Sequence, residues 1–126
     1  MEIEGSAIAD IHSFYREINR VFMSDETWVL GESLDALDDM LYGGYGAIAG
    51  AASVEIIWKD IAVSRKSLGA DTTLEFLQAR HAIRDQFNGQ SITQQMEALL
   101  AGAGNTYFDI VMEVFASHRS IKIVAS

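Results

Sequence analysis

Apolar and polar positions in this chain follow two periods, and the alternation between them lays out the elements. From Ile11 to Phe22 the apolar residues Ile11, Phe14, Ile18, Val21 and Phe22 recur every three to four positions, with Arg16, Glu17 and Arg20 on the other side. That spacing predicts an amphipathic helix capped by Asp10. A shorter helix is predicted after Gly31, with Ser33 as N-cap and Leu34, Leu37 and Leu41 as its apolar stripe; at 100° per residue these three fall within about 60° of one another. Short runs rich in β-branched residues, Ser53 to Trp58 and Ile121 to Ala125, read as strands, and Glu2 to Glu4 as a shorter one. Between them Lys59 to Leu68 reads as a modest helix. Thr72-Thr73-Leu74-Glu75 is a capping-box pattern opening a helix to Asn88-Gly89, and Ser91-Ile92-Thr93-Gln94 opens another that ends before Gly102. A last helix starts at Asn105 or Thr106. Strands separated by helices, with no two-residue hairpin signal, imply a small three-stranded parallel sheet with crossover helices, an α/β fold.

Trp28, Val29 and Leu30 precede Gly31 with no evident reason to lie in a loop. Packing beneath the loop is the expectation, and an exposed apolar contact patch is the alternative. After Leu41, the glycines at 43, 44, 46 and 50 stop the helix. No Lys-Ser/Thr follows them, so a phosphate-binding loop is excluded; a flexible connection is expected, with Tyr42 or Tyr45 at a binding rim.

Charge changes this picture. The formal net charge is −9 over 126 residues. Between Val21 and Trp58 there are seven acids (Asp25, Glu26, Glu32, Asp35, Asp38, Asp39 and Glu55) and neither Lys nor Arg. Asp35, Asp38 and Asp39 crowd one face of the short helix, where like charges repel by a few tenths of a kcal/mol per pair. Acid-rich helices are often no more than solvated surface. Here, with a Gly-punctuated loop on each side, the pattern implies that the missing positive charge belongs to a partner. Direct nucleic-acid binding is excluded for want of a basic footprint, whereas a basic protein is favoured by steering.

The length is that of one domain, residues 1–126. There is no Cys, so disulfide and thiolate-metal sites are absent and a reducing compartment is suitable. With no signal-peptide pattern at Met1 and no membrane-length apolar run, a cytoplasmic protein is expected. Enzyme readings are weak. His81 and Asp85, flanked by Arg80 and Arg84, could form an acid–base pair, but such a cluster is usually a solvated helix face. His12 and His118 are isolated in sequence, and no metal or cofactor signature is present.

The stretch Gly31-Glu32-x-Leu34-Asp35-Ala36-Leu37-x-Asp39-x-Leu41-x-Gly43 resembles the signature of the barstar family, intracellular inhibitors of the secreted ribonuclease barnase. The likeness extends over Ile3 to Phe22, over Val54 to Gly69 with Trp58-Lys59, and over Tyr107 to Ser126; about 71–104 has no counterpart and looks like one or two inserted helices. What the resemblance implies is a non-enzymatic inhibitor or immunity protein. It would plug the active site of a basic ribonuclease or toxin nuclease domain, one-to-one, with the acidic helix and the loop before it. Asp39 then matches the principal carboxylate and Asp35 a second contact, within a surface of Val29, Leu30, Gly31, Ser33, Asp35, Asp38, Asp39, Gly43 and Gly44. The departures are aromatic. The family's paired Tyr are Val29 and Leu30 here, its helix-start Asn is Ser33, its helix Trp is Asp38, its Trp after the glycine is Gly44, and its late acid falls near Ser117. An interaction module with no nuclease partner is the alternative.

Overall fold

The computed structural model describes the backbone of residues 1–102 and 104–126, and the side chains of these except 80–93. Three strands, β1 (Glu2–Glu4), β2 (Val54–Lys59) and β3 (Ile121–Ala125), form one parallel sheet in the order β1-β2-β3. Helices α1 (Ile11–Phe22) and α2 (Leu34–Leu41) cross from β1 to β2. Helices α3 (Ile61–Ser67), α4 (Ala70–Leu100) and α5 (Tyr107–Ala116) cross from β2 to β3. The α/β sheet with crossover helices is the one expected from the alternating pattern.

Only one face of the sheet is covered. Ile56 and Trp58 on β2 are fully buried, and the register sets Ile3 beside Trp58, Ile121 beside Val54 and Ile123 beside Ile56. Against this face pack Phe14, Tyr15 and Ile18 of α1, Leu37 and Leu41 of α2, and Phe108, Val111 and Phe115 of α5. Trp58 meets Phe108 and Phe115 edge-on at 5.8 and 6.0 Å between centroids. The other face carries Glu4 opposite Lys59 and Glu55 opposite Lys122. Parallel strands are usually buried on both sides; here the open side is made soluble by cross-strand charge, with Lys59 Nζ 3.0 Å from Glu2 and 3.6 Å from Glu4.

The caps of α1 and α2 follow the sequence. Asp10 accepts from the Ser13 N–H at 2.7 Å in a reciprocal capping box. At α4 the expectation fails. The helix begins three residues before Thr73, with Gly69 as an N-cap that provides no side-chain bond. Thr72 instead donates to the Ser67 carbonyl at 2.6 Å, and Thr73 to that of Gly69 at 2.7 Å while accepting from the Tyr107 N–H. A threonine four residues past a carbonyl can bond back to it as readily as cap forwards, and burial of Thr73 favours the bond that also satisfies Tyr107. The two helices expected over 72–100 are one element, for a glycine within a helix costs only about 1 kcal/mol and does not by itself end one.

Candidate functional site

Helix α2 has eight residues, and its apolar side is locked. Leu37, Met40 and Leu41 are buried in the core, and Ser33 Oγ accepts from the Ala36 N–H at 3.1 Å. Met40 joins the stripe because it lies on the core side between Leu37 and Leu41. With that side fixed, Asp35 and Asp39 stand exposed on the other. Among the described residues, neither these carboxylates nor Asp38 forms an ion pair with Lys or Arg.

The loop entering α2 is tied to α1 by Asn19, a residue that no local pattern singles out. Its Oδ1 accepts from the Leu30 N–H at 2.6 Å, while its Nδ2 donates to the carbonyls of Leu30 at 3.3 Å and Tyr15 at 2.9 Å. Leu30 is 4% exposed and sits in the core, so as a partner contact it is corrected to an anchor. Trp28 and Val29 reverse the packing expectation: they are 46% and 75% exposed. One apolar residue under the loop suffices to hold it; Val29, next to it, points away as adjacent residues of an extended chain do, and Trp28 lies at a bend.

The glycine segment after α2 is tied at its middle to the end of α1 and the loop after it, which corrects the flexible connection. Glu26 accepts from the Gly46 N–H at 2.7 Å, and the Ala47 N–H donates to the Phe22 carbonyl at 2.7 Å. Gly46 has φ of +78°, and a Cβ there would meet Phe22 O at 2.8 Å, so no other residue fits without displacement. Gly43 has φ of +84°, and its N–H closes the helix onto Met40 O at 3.0 Å. Gly31 and Gly44 have open space above them.

Asp39 and Asp38 each have a neighbour of their own. Asp39 Oδ2 accepts from the Tyr45 hydroxyl at 2.8 Å. Burial and this bond push the Tyr45 phenol up to about 12, so it stays a donor throughout the neutral range. Asp38, with 41% of its side chain exposed, has Oδ1 2.7 Å from His118 Nε2. The His118 ring is buried and meets Tyr42 edge-on at 4.7 Å. His12 Nδ1 lies 2.7 Å from Glu32 Oε2. The two histidines that look isolated in sequence therefore both face acids of the 21–58 span, across separations that no local pattern reveals. Asp35 has no such partner among the described residues. Ser117, where the family's late acid would fall, turns its hydroxyl back to the Val114 carbonyl at 2.7 Å. The side chains of Arg80, His81, Arg84 and Asp85 lie outside the described residues, and among those described no group of acids and histidines is placed to hold a metal ion. Nor is any helix among them long and apolar enough to cross a membrane.

A half-covered three-stranded parallel sheet with a capped, acid-lined helix on its rim defines a small α/β protein built to display that helix. The family model of Barstar (barnase inhibitor) matches residues 1–98, from β1 into α4. The chain belongs to the barstar family, whose members are inhibitors of a ribonuclease and not enzymes. A comparison with curated proteins finds no match.

Proposed function

We propose that this chain is a non-enzymatic inhibitor, or immunity protein, of a basic barnase-type ribonuclease or toxin domain, acting one-to-one in the cytoplasm. Helix α2 enters the active site of the nuclease, where Asp39 and Asp35 take the place of substrate phosphates. The observation that carries this reading is the exposure of both carboxylates, without Lys or Arg, on a helix whose other side is immobilised in the core. A carboxylate held rigidly and left without a cation is pre-organised for one supplied by a partner, which lowers the ordering cost of association. Electrostatic steering of this kind is best known from barnase and its inhibitor.

The chain acts as one domain, residues 1–126, with the segment of about 71–104 as the added part. The single domain is supported by β3, which lies beyond the matched residues yet pairs along five positions with β2 inside them; the match itself runs on through 71–98. The test is titration of the purified protein into RNA cleavage by barnase. Wild type is expected to suppress cleavage at one equivalent, and Asp39→Ala to raise the inhibition constant at least about a hundredfold, the cost of leaving a desolvated cation unpaired. Full inhibition by Asp39→Ala would overturn the mechanism.

A further inference from the structure

Four positions at which the family carries aromatic side chains are Val29, Leu30, Asp38 and Gly44 here. The structure nonetheless has aromatic rings beside the aspartates, from other positions. Trp28 is 46% exposed, and its ring centroid lies 4.8 Å from that of Tyr45, the planes inclined at 56°. Tyr45 in turn donates to Asp39 Oδ2. Exposed Val29 continues the apolar surface next to Trp28.

From this arrangement we propose that Trp28 and Tyr45 are the aromatic anchor of the interface with the basic partner, and that Tyr45 also positions Asp39. The proposal rests on the inhibitor reading above. Three observations favour it. First, neither loop needs the Trp28 ring to hold its shape, because Asn19 fixes the first and Glu26 with Phe22 O fixes the second, where Tyr45 also packs in part against the core. Second, a half-exposed Trp next to an exposed Val is an apolar patch that a lone protein has no use for, and Trp and Tyr are the residues enriched among those that dominate binding energy. Third, charge names the occupant: the patch borders Asp39 on an acid-lined helix, so what covers the rings must also bring cations. An arginine-bearing rim around a cationic pocket meets both demands, since guanidinium pairs with carboxylate and stacks on aromatic faces, and ammonium does the second poorly. Tyr45 leaves Asp39 Oδ1 for the partner while fixing the plane of the carboxylate.

The chain has two tryptophans, Trp28 and Trp58, and Trp58 is fully buried. Protein labelled with 5-fluorotryptophan therefore gives one ¹⁹F resonance from the patch and one from the core. On adding unlabelled barnase, the Trp28 resonance is expected to shift and the Trp58 resonance to stay. Trp28→Ala, which removes only a half-exposed ring, is expected to raise the inhibition constant about thirtyfold. Tyr45→Phe, keeping the ring but freeing Asp39, should raise it several-fold. A stationary Trp28 resonance, or full inhibition by Trp28→Ala, would overturn the proposal; if Asp39→Ala were still impaired, the inhibitor reading would survive it. Failure of the wild-type chain to inhibit barnase would remove both.

Discussion

Two sets of acids in this protein are treated in opposite ways. Around α1 and β1 the carboxylates of Glu2, Glu4 and Glu17 each have a base, and that of Asp10 is spent on the helix cap. Glu17, buried, receives Arg20 Nε and Nη2 at 2.7 and 2.6 Å and the Glu4 N–H at 2.6 Å, and Lys59 bridges Glu2 and Glu4. Among the described residues, the carboxylates of Asp38 and Asp39 on α2 meet an imidazole and a phenol, and neither meets Lys or Arg. A chain able to neutralise its acids where stability needs it has left them open where a partner would close over them. Location and not composition separates the two sets, and they should fail differently when altered.

The largest contrast lies between Asp39 and Glu17. Asp39→Ala should abolish most inhibition, at least about a hundredfold, yet leave the melting temperature within a degree or two. Glu17→Ala should do the reverse. It strands the Glu4 N–H and costs about 2 kcal/mol, or roughly 8 °C in melting temperature, with inhibition by the folded protein unchanged. A variant of Asp39 that unfolds the protein, or one of Glu17 that spares it, would erase the distinction.

Acid sharpens the same comparison. Burial raises the Glu17 pKa, but hydrogen bonds from Arg20 and from the Glu4 N–H outweigh it and hold the carboxyl below its ordinary 4.5. A depressed folded-state pKa stabilises the protein above the unfolded value, and the contribution disappears as pH falls through the folded one. Stability should therefore decline below about pH 4.5, and Glu17→Gln should flatten that decline in thermal melts across pH. The inhibition proposed for α2 should respond to salt instead. Exposed charges are screened over about 10 Å at 0.1 M, so the association rate should fall roughly tenfold between low salt and 0.5 M, measured by stopped flow. A rate indifferent to salt would argue against steering. The smallest effect should come from Asp38. Its side chain is held by His118, so Asp38→Ala should weaken inhibition only a few-fold and lower stability by about 1 kcal/mol.

Elements set by short-range pattern were legible in the sequence. Asp10 and Ser33 cap the helices they precede, and the apolar stripes of α1, α2 and α5 point to the core as their spacing requires. What depended on distant partners was not. His118 reaches Asp38 across 80 residues, and nothing near either residue signals it. Thr73 accepts from the Tyr107 N–H, which lies 34 residues on. The choice of Leu30 over Trp28 and Val29 for burial was made by Asn19, which looks like any polar residue on an amphipathic helix. The candidate site was legible as charge, because a run of acids without bases is visible in one dimension. Its aromatic part was not, since Trp28 and Tyr45 meet only after the chain has turned around α2.

Gly46 has a practical bearing on anyone redesigning this surface. Its backbone touches the end of α1, leaving no room for a side chain although the loop is near solvent. A library that randomises the whole segment would lose most members to collapse of that junction. Diversity confined to positions 28, 29, 42 and 44 would retarget the protein while the scaffold beneath stayed intact.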